Sequence, residues 1–132
     1  MRKLSLAIAM ICAASVVAAE EITVAALGDS LTQGYGLRQS AGFVPQLADW
    51  LNAQGVTNVR LINAGVSGDT TAGGLARVDW TLTPDVDAMI VALGGNDLLR
   101  GIDPQVSRSN LKGILKAAQA ADVDVLLIGL TA

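Results

Sequence analysis

No histidine occurs among the 132 residues. Histidine is the side chain that most often takes the proton from a nucleophilic hydroxyl, and it is the commonest metal ligand. Chemistry of either kind must use other groups, or groups outside this sequence. There is one cysteine, Cys12. It lies in the apolar N-terminal stretch and lacks the small-residue pattern that precedes a lipid-attachment cysteine. The rest of the chain therefore has no disulfide and no thiolate chemistry. Aromatic residues make up 3% of the chain, so a core must be built from Val, Leu, Ile and Ala. Basic residues number 9 against 12 acidic ones, for a net charge of −3. A mildly acidic chain argues against nucleic acid and against an anionic membrane face as partners.

What is present begins with Arg2 and Lys3, then the apolar stretch Leu4 to Val17. Small residues at Val17-Ala18-Ala19 precede Glu20 and Glu21. This is the layout of a secretory signal peptide, and residues 1–19 are read as one. The apolar run is short for a membrane span, which needs about 20 residues. The expected product is an exported domain, periplasmic or secreted, spanning residues 20–132, with no stable membrane insertion after cleavage. Losing Arg2 and Lys3 would move its charge to about −5 on this reading.

Four apolar, β-branched-rich runs recur: Ile22 to Leu27, Val59 to Ile62, Ala88 to Leu93 and Val123 to Leu130. Continuous runs of this length suit strands buried on both faces of a parallel sheet. Helical patterns alternate with them. Phe43 to Gln54 carries Phe43, Val44, Leu47, Trp50 and Leu51 at helical spacing, with Gly55 as a stop. A weaker pattern runs from Ala72 to Leu82. Pro104 to Ala121 is the clearest, with Asp103 as N-cap and Pro104 at the first helical position. Trp50 and Trp80 read as helix-face core residues, and Arg77 and Arg100 as solvated surface charges. Strand-helix three times, then a strand, predicts right-handed βαβ units and a three-layer α/β fold. The last run reads as a buried strand with nothing after it to cover it, so the sequence is read as part of a longer protein.

In such sheets ligands sit beyond the carboxyl ends of the strands, where strand order reverses. Three polar, Gly-rich loops lie at those ends. In Gly28-Asp29-Ser30-Leu31, glycine permits a sharp turn that presents Ser30 at the rim, as a nucleophile or as a turn cap. Gly68, within Asn63-Ala64-Gly65-Val66-Ser67-Gly68-Asp69-Thr70, offers a bare N–H to a ligand or simply closes a turn. In Gly94-Gly95-Asn96-Asp97, the Asn96 amide is a donor for an oxyanion or the side chain of an Asx-turn. Taken singly, each loop leaves both readings open. Taken together, they set a nucleophile, a bare N–H and an amide donor on one sheet edge.

These three blocks, in this order and spacing, resemble the SGNH or GDSL-type hydrolases over essentially the whole domain. Ser67-Gly68-Asp69-Thr70 followed by Gly74-Leu75-Ala76-Arg77, and Leu98-Leu99-Arg100-Gly101, look most like the bacterial exported arylesterases and the thioesterase I/lysophospholipase group. The resemblance implies a flavodoxin-like fold with strand order 2-1-3-4-5, of which this sequence carries 2-1-3-4. It implies Ser30 as nucleophile, with the Ser30 N–H, the Gly68 N–H and the Asn96 side chain as oxyanion donors. It implies no metal and no cofactor, and a small ester, thioester or lysophospholipid as substrate. The family's base and orienting acid come from an Asp-x-x-His block near the C-terminus. That block, the fifth strand and the last helix are not among these residues. Asp29, Asp69 and Asp97 each sit in a turn and read as structural hydrogen-bonding groups.

The expected activity is serine ester or thioester hydrolysis through an acyl-enzyme. Two alternatives are a carbohydrate-ester deacetylase built on the same blocks and a non-catalytic binding domain. For want of a base, the 132 residues alone are expected to be inactive, and their last strand makes them poorly soluble. The reading frame past Ala132 separates the alternatives: an Asp-x-x-His there favours the enzyme, and a stop codon the binding domain.

Overall fold

The computed structural model describes residues 19–129. The signal-peptide expectation, residues 1–19, lies outside the described residues except for Ala19. The chain forms β1 (Ile22–Gly28), α1 (Ser30–Gln33), a single 3-10 turn (Gln39–Ala41), α2 (Phe43–Ala53), β2 (Val59–Gly65) and α3 (Thr71–Thr81). It continues with β3 (Ala88–Ala92), α4 (Gly95–Leu99), α5 (Pro104–Ala120) and β4 (Asp124–Leu127).

The four strands are parallel and lie in the order β2-β1-β3-β4, as expected. Side chains alternate across a strand, and the two faces sort cleanly. Ala25 and Leu27 of β1 join Met89, Val91, Val78, Ile114 and Ala118 in a core beneath α3 and α5. Val24 and Ala26, one residue out of phase, join Ile90, Val44 and Leu47 beneath α2. The result is three layers, with the sheet between α2 on one side and α3 and α5 on the other. At the amino ends of the strands, Asp87 accepts a hydrogen bond from the Thr23 N–H at 2.7 Å. Arg60 pairs there with Glu21 and Asp85, far from the polar loops.

Helix ends follow local chemistry. Asp103 caps α5 by accepting from the Gln105 N–H at 2.8 Å, and Pro104 opens the helix. Thr70 caps α3 by accepting from the Gly73 N–H, so that helix begins one residue before the apolar pattern does.

Two expectations are corrected. Trp50 and Trp80 are not core residues: they are 58% and 86% exposed. Their spacing fits a helix, but the faces of α2 and α3 that meet the sheet are filled by Val44 and Leu47 and by Leu75 and Val78. The last strand is shorter than the apolar run: among the described residues it is Asp124–Leu127 at the sheet edge, and Leu126 and Leu127 are exposed, as in a strand with nothing over it. The loops after β1 and β3 each close into one helical turn, α1 and α4.

Ile114 is fully buried and anchors α5 on the common core. Truncating such a side chain removes its transfer energy and leaves a cavity. Ile114→Ala is expected to lower unfolding free energy by about 2–5 kcal/mol, measured by urea unfolding of the protein. A loss well below that range would show that α5 does not rest on this residue.

Candidate active site

Parallel pairing aligns Gly28 with Gly65 of β2 and with Ala92 of β3. The chain leaves all three strands at one rim, and there the loops carrying Ser30, Gly68 and Asn96 begin.

Ser30 is the first residue of α1 and is half-buried. Asp29 caps that turn by accepting from the Leu31 N–H at 2.9 Å. Gly28 is needed for a different reason from the one its sequence suggests. It is not the turning residue. A Cβ there would collide with the Thr32 side chain, so only glycine lets α1 fold back this tightly on β1. Asn63 fixes the far end of the turn, donating from Nδ2 to the Thr32 carbonyl at 3.1 Å.

Gly68 lies in the turn between β2 and α3 with φ +81°, a region costly for any residue with a Cβ. Arg100, at the end of α4, donates to its carbonyl at 2.8 Å. Among the described residues, neither the Ser30 N–H nor the Gly68 N–H is taken up by the fold's own hydrogen bonds.

Asn96 ties the three loops together. Its Nδ2 donates to the Asp69 carbonyl at 2.8 Å and stands 3.5 Å from Asp29 Oδ2. An amide nitrogen carries two hydrogens. One is committed to Asp69. The other makes only a contact at the limit of hydrogen bonding and is available to a ligand. The structure thus brings Asn96 to the loop of Gly68 and to the residue before Ser30.

Two further residues hold this arrangement. Arg77 is not the solvated charge that its sequence context suggests. Its guanidinium donates to Asp69 Oδ2 at 2.7 Å, to the Ala64 carbonyl at 2.8 Å and to the Gly28 carbonyl at 3.0 Å. Its side chain is 24% exposed. A planar fork with several donors can satisfy the last carbonyls of two strands and a carboxylate at once, and a lysine cannot. Arg77 lies eight residues beyond Asp69, two turns along α3, and only that spacing hinted at the pair.

Asp97 is the other, and it is 2% exposed. Its carboxylate accepts from the Thr71 N–H at 2.8 Å, from Thr71 Oγ1, and from Ser107 Oγ at 2.7 Å. Asn110 in turn donates to Thr71 Oγ1 at 3.0 Å. Burial pushes the Asp97 carboxyl up. The hydrogen bonds from Thr71 Oγ1, from Ser107 and from the Thr71 and Asp97 N–H groups outweigh it, leaving the carboxyl below its ordinary value. Nothing in the local sequence marks Thr71, Ser107 and Asn110 as partners of Asp97, because they meet only in the fold.

A cleft of about 480 Å³ opens one turn past Ser30, lined by Gln33, Leu37, Val44, Pro45, Leu61 and Asn63 among others. Ser30, Gly68 and Asn96 do not line it. Among the described residues, no group of three or more His, Cys, Asp or Glu stands close enough to hold a metal ion.

Residues 26–132 match the GDSL-like Lipase/Acylhydrolase family, and the chain belongs to it. It is similar to Esterase TesA of Pseudomonas aeruginosa, at 41% identity over 82% of this chain and 54% of TesA. It is similar to Thioesterase 1/protease 1/lysophospholipase L1 of Escherichia coli K12, at 40% identity over 84% of this chain and 52% of that protein. Among solved structures it resembles AlinE4, an SGNH-hydrolase family esterase, with 47% identity and a TM-score of 0.81. That match covers 86% of this chain and 61% of AlinE4. The chain spans about half the length of the curated relatives it matches.

The lowered Asp97 value has a sign that can be checked. An unfolded aspartate titrates near about 3.9. Below that pH the unfolded chain binds the proton more readily than the folded one. The stability Asp97 supplies is therefore complete above the unfolded value and lost as pH falls through the folded one. The stability gap between wild type and Asp97→Asn, from urea unfolding, is expected to stay constant from about pH 8 to about pH 5 and to narrow below about pH 4. A gap that widens in acid would contradict the assignment.

Proposed function

We propose that the protein is an exported serine hydrolase of carboxylic esters or thioesters, working through an acyl-enzyme. Ser30 Oγ attacks the acyl carbonyl, and the carbonyl oxygen becomes an oxyanion. On this reading the Ser30 N–H, the Gly68 N–H and the second hydrogen of the Asn96 amide donate to that oxyanion. The base takes the Ser30 proton and passes it to the leaving group, so collapse of the tetrahedral intermediate expels the alcohol or thiol and leaves an acyl-serine. Water then attacks the acyl carbon and releases the acid, returning the proton to Ser30. The observation that carries this reading is the Asn96 amide, held by Asp69 at 2.8 Å with one hydrogen spare, beside two backbone N–H groups the fold leaves unused.

Among the described residues, Ser30 Oγ has no hydrogen-bond partner, and the sequence has no histidine to provide one. A serine hydroxyl needs a base. We place that base, with its orienting acid, in sequence outside these 132 residues, which alone would turn over no ester. The relatives' greater length supports this. The three nearby aspartates do not replace the base. Asp69 and Asp97 are engaged by Arg77, Thr71 and Ser107, and Asp29 holds the Leu31 N–H. The names of the similar proteins, esterase and thioesterase, support the substrate class. Export rests on Arg2, Lys3 and the apolar stretch after them. Among the described residues no helix is long and apolar enough to cross a membrane.

Removing one oxyanion donor typically costs about 10²–10³ in kcat. Asn96→Ala in the full-length protein is expected to lower kcat for a p-nitrophenyl ester by that factor while leaving residual turnover. An unchanged kcat would remove Asn96 from the oxyanion hole.

A further inference from the structure

Asn96 and Asp97 are neighbours in one turn of α4, and both side chains reach the same target, the start of α3. Asn96 takes the Asp69 carbonyl. Asp97 takes the N–H and the hydroxyl of Thr71, two residues further on. Gly68 directly precedes this doubly held segment. The two grips differ in character. That of Asn96 uses one of two amide hydrogens and leaves its donor partly free. That of Asp97 is buried and uses a carboxylate, whose hydrogen bonds are the stronger kind. Ser107 ties the same carboxylate to α5, so the grip is referenced to the core and not to the loops alone.

We infer that Asp97 is a positioning residue of the oxyanion hole: through Thr71 it sets the spacing between the Gly68 N–H and the Asn96 amide. This rests on the oxyanion reading proposed above. Two donors aimed at one oxygen must each lie about 2.7–3.1 Å from it. They come from different loops, so their separation is a property of whatever joins those loops. Asn96 cannot set that spacing alone, since its own bond to Asp69 is part of what must be held in place. Asp97 needs no contact with substrate to do so. Its loss would leave both donors present but misplaced, and an error of that kind falls on the transition state rather than on ground-state binding.

The test is a double-mutant cycle on the full-length protein with a p-nitrophenyl ester. Asp97→Asn keeps the shape but removes the charge and one acceptor. Alone, it is expected to lower kcat about tenfold or more with KM within about twofold. In an Asn96→Ala background, where there is no Gly68-to-Asn96 spacing left to set, the same change should lower kcat by at most about a third of its fold-effect in the wild type. Equal losses in the two backgrounds, or a loss confined to KM, would overturn the inference and leave Asp97 as a stabilising group only. If Asn96→Ala itself leaves kcat intact, the oxyanion reading fails, and this inference with it. Should Asp97→Asn not fold, Thr71→Val takes its place in the same cycle with the same expected pattern. Thr71→Ser, which keeps the hydroxyl, should then restore kcat to within about threefold of wild type. Failure of that rescue would also count against the inference.

Discussion

Gly28 pairs in register with Gly65 on one side and Ala92 on the other. The site depends on that central position of β1. A parallel sheet sends every chain out at the same rim, and β1 is the strand where the order reverses. The loop carrying Ser30 is thereby flanked by the loop carrying Gly68 and the loop carrying Asn96. No long-range folding of loops is needed to bring them together. Strand register does most of the work, and hydrogen bonds between the loops complete it.

Those hydrogen bonds come from charged groups taken out of water, which is costly unless the groups are satisfied. Both are. The Arg77 guanidinium meets a carboxylate and two strand-end carbonyls, and the Asp97 carboxylate meets Thr71 and Ser107. Among the described residues no buried side-chain polar atom lacks a partner. On the proposed reading, a site braced in this way keeps its donors in place before a substrate arrives, and donors that need not reorganise stabilise developing charge best. Glycine at position 28 serves the same end by letting α1 close directly over β1.

Much of this is legible in the sequence, for physical reasons. The β-branched runs and the Asp103-Pro104 cap are local signals, and their elements form where expected. The gathering of Ser30, Gly68 and Asn96 at one sheet edge is legible because each lies in a loop that follows a strand of the parallel sheet. Local pattern fails where tertiary contact decides. Trp50 and Trp80 have helical spacing but face solvent, because smaller residues already fill the sheet-facing side. Arg77 looks like any surface arginine until two strand ends are placed beneath it. Asp97 looks like a turn residue until α5 supplies Ser107. Braces of this kind join residues distant in sequence, so no window along the chain shows them.

The central claim is that Ser30 is the nucleophile, and it can be tested without knowing the natural substrate. An activated serine attacks the phosphorus of a fluorophosphonate, displaces fluoride and keeps the phosphonyl group. Intact mass and peptide mapping of the full-length protein after such treatment should show one added group, on Ser30, with ester hydrolysis lost in step. An adduct on a different residue, or full labelling of the Ser30→Ala variant, would contradict the account.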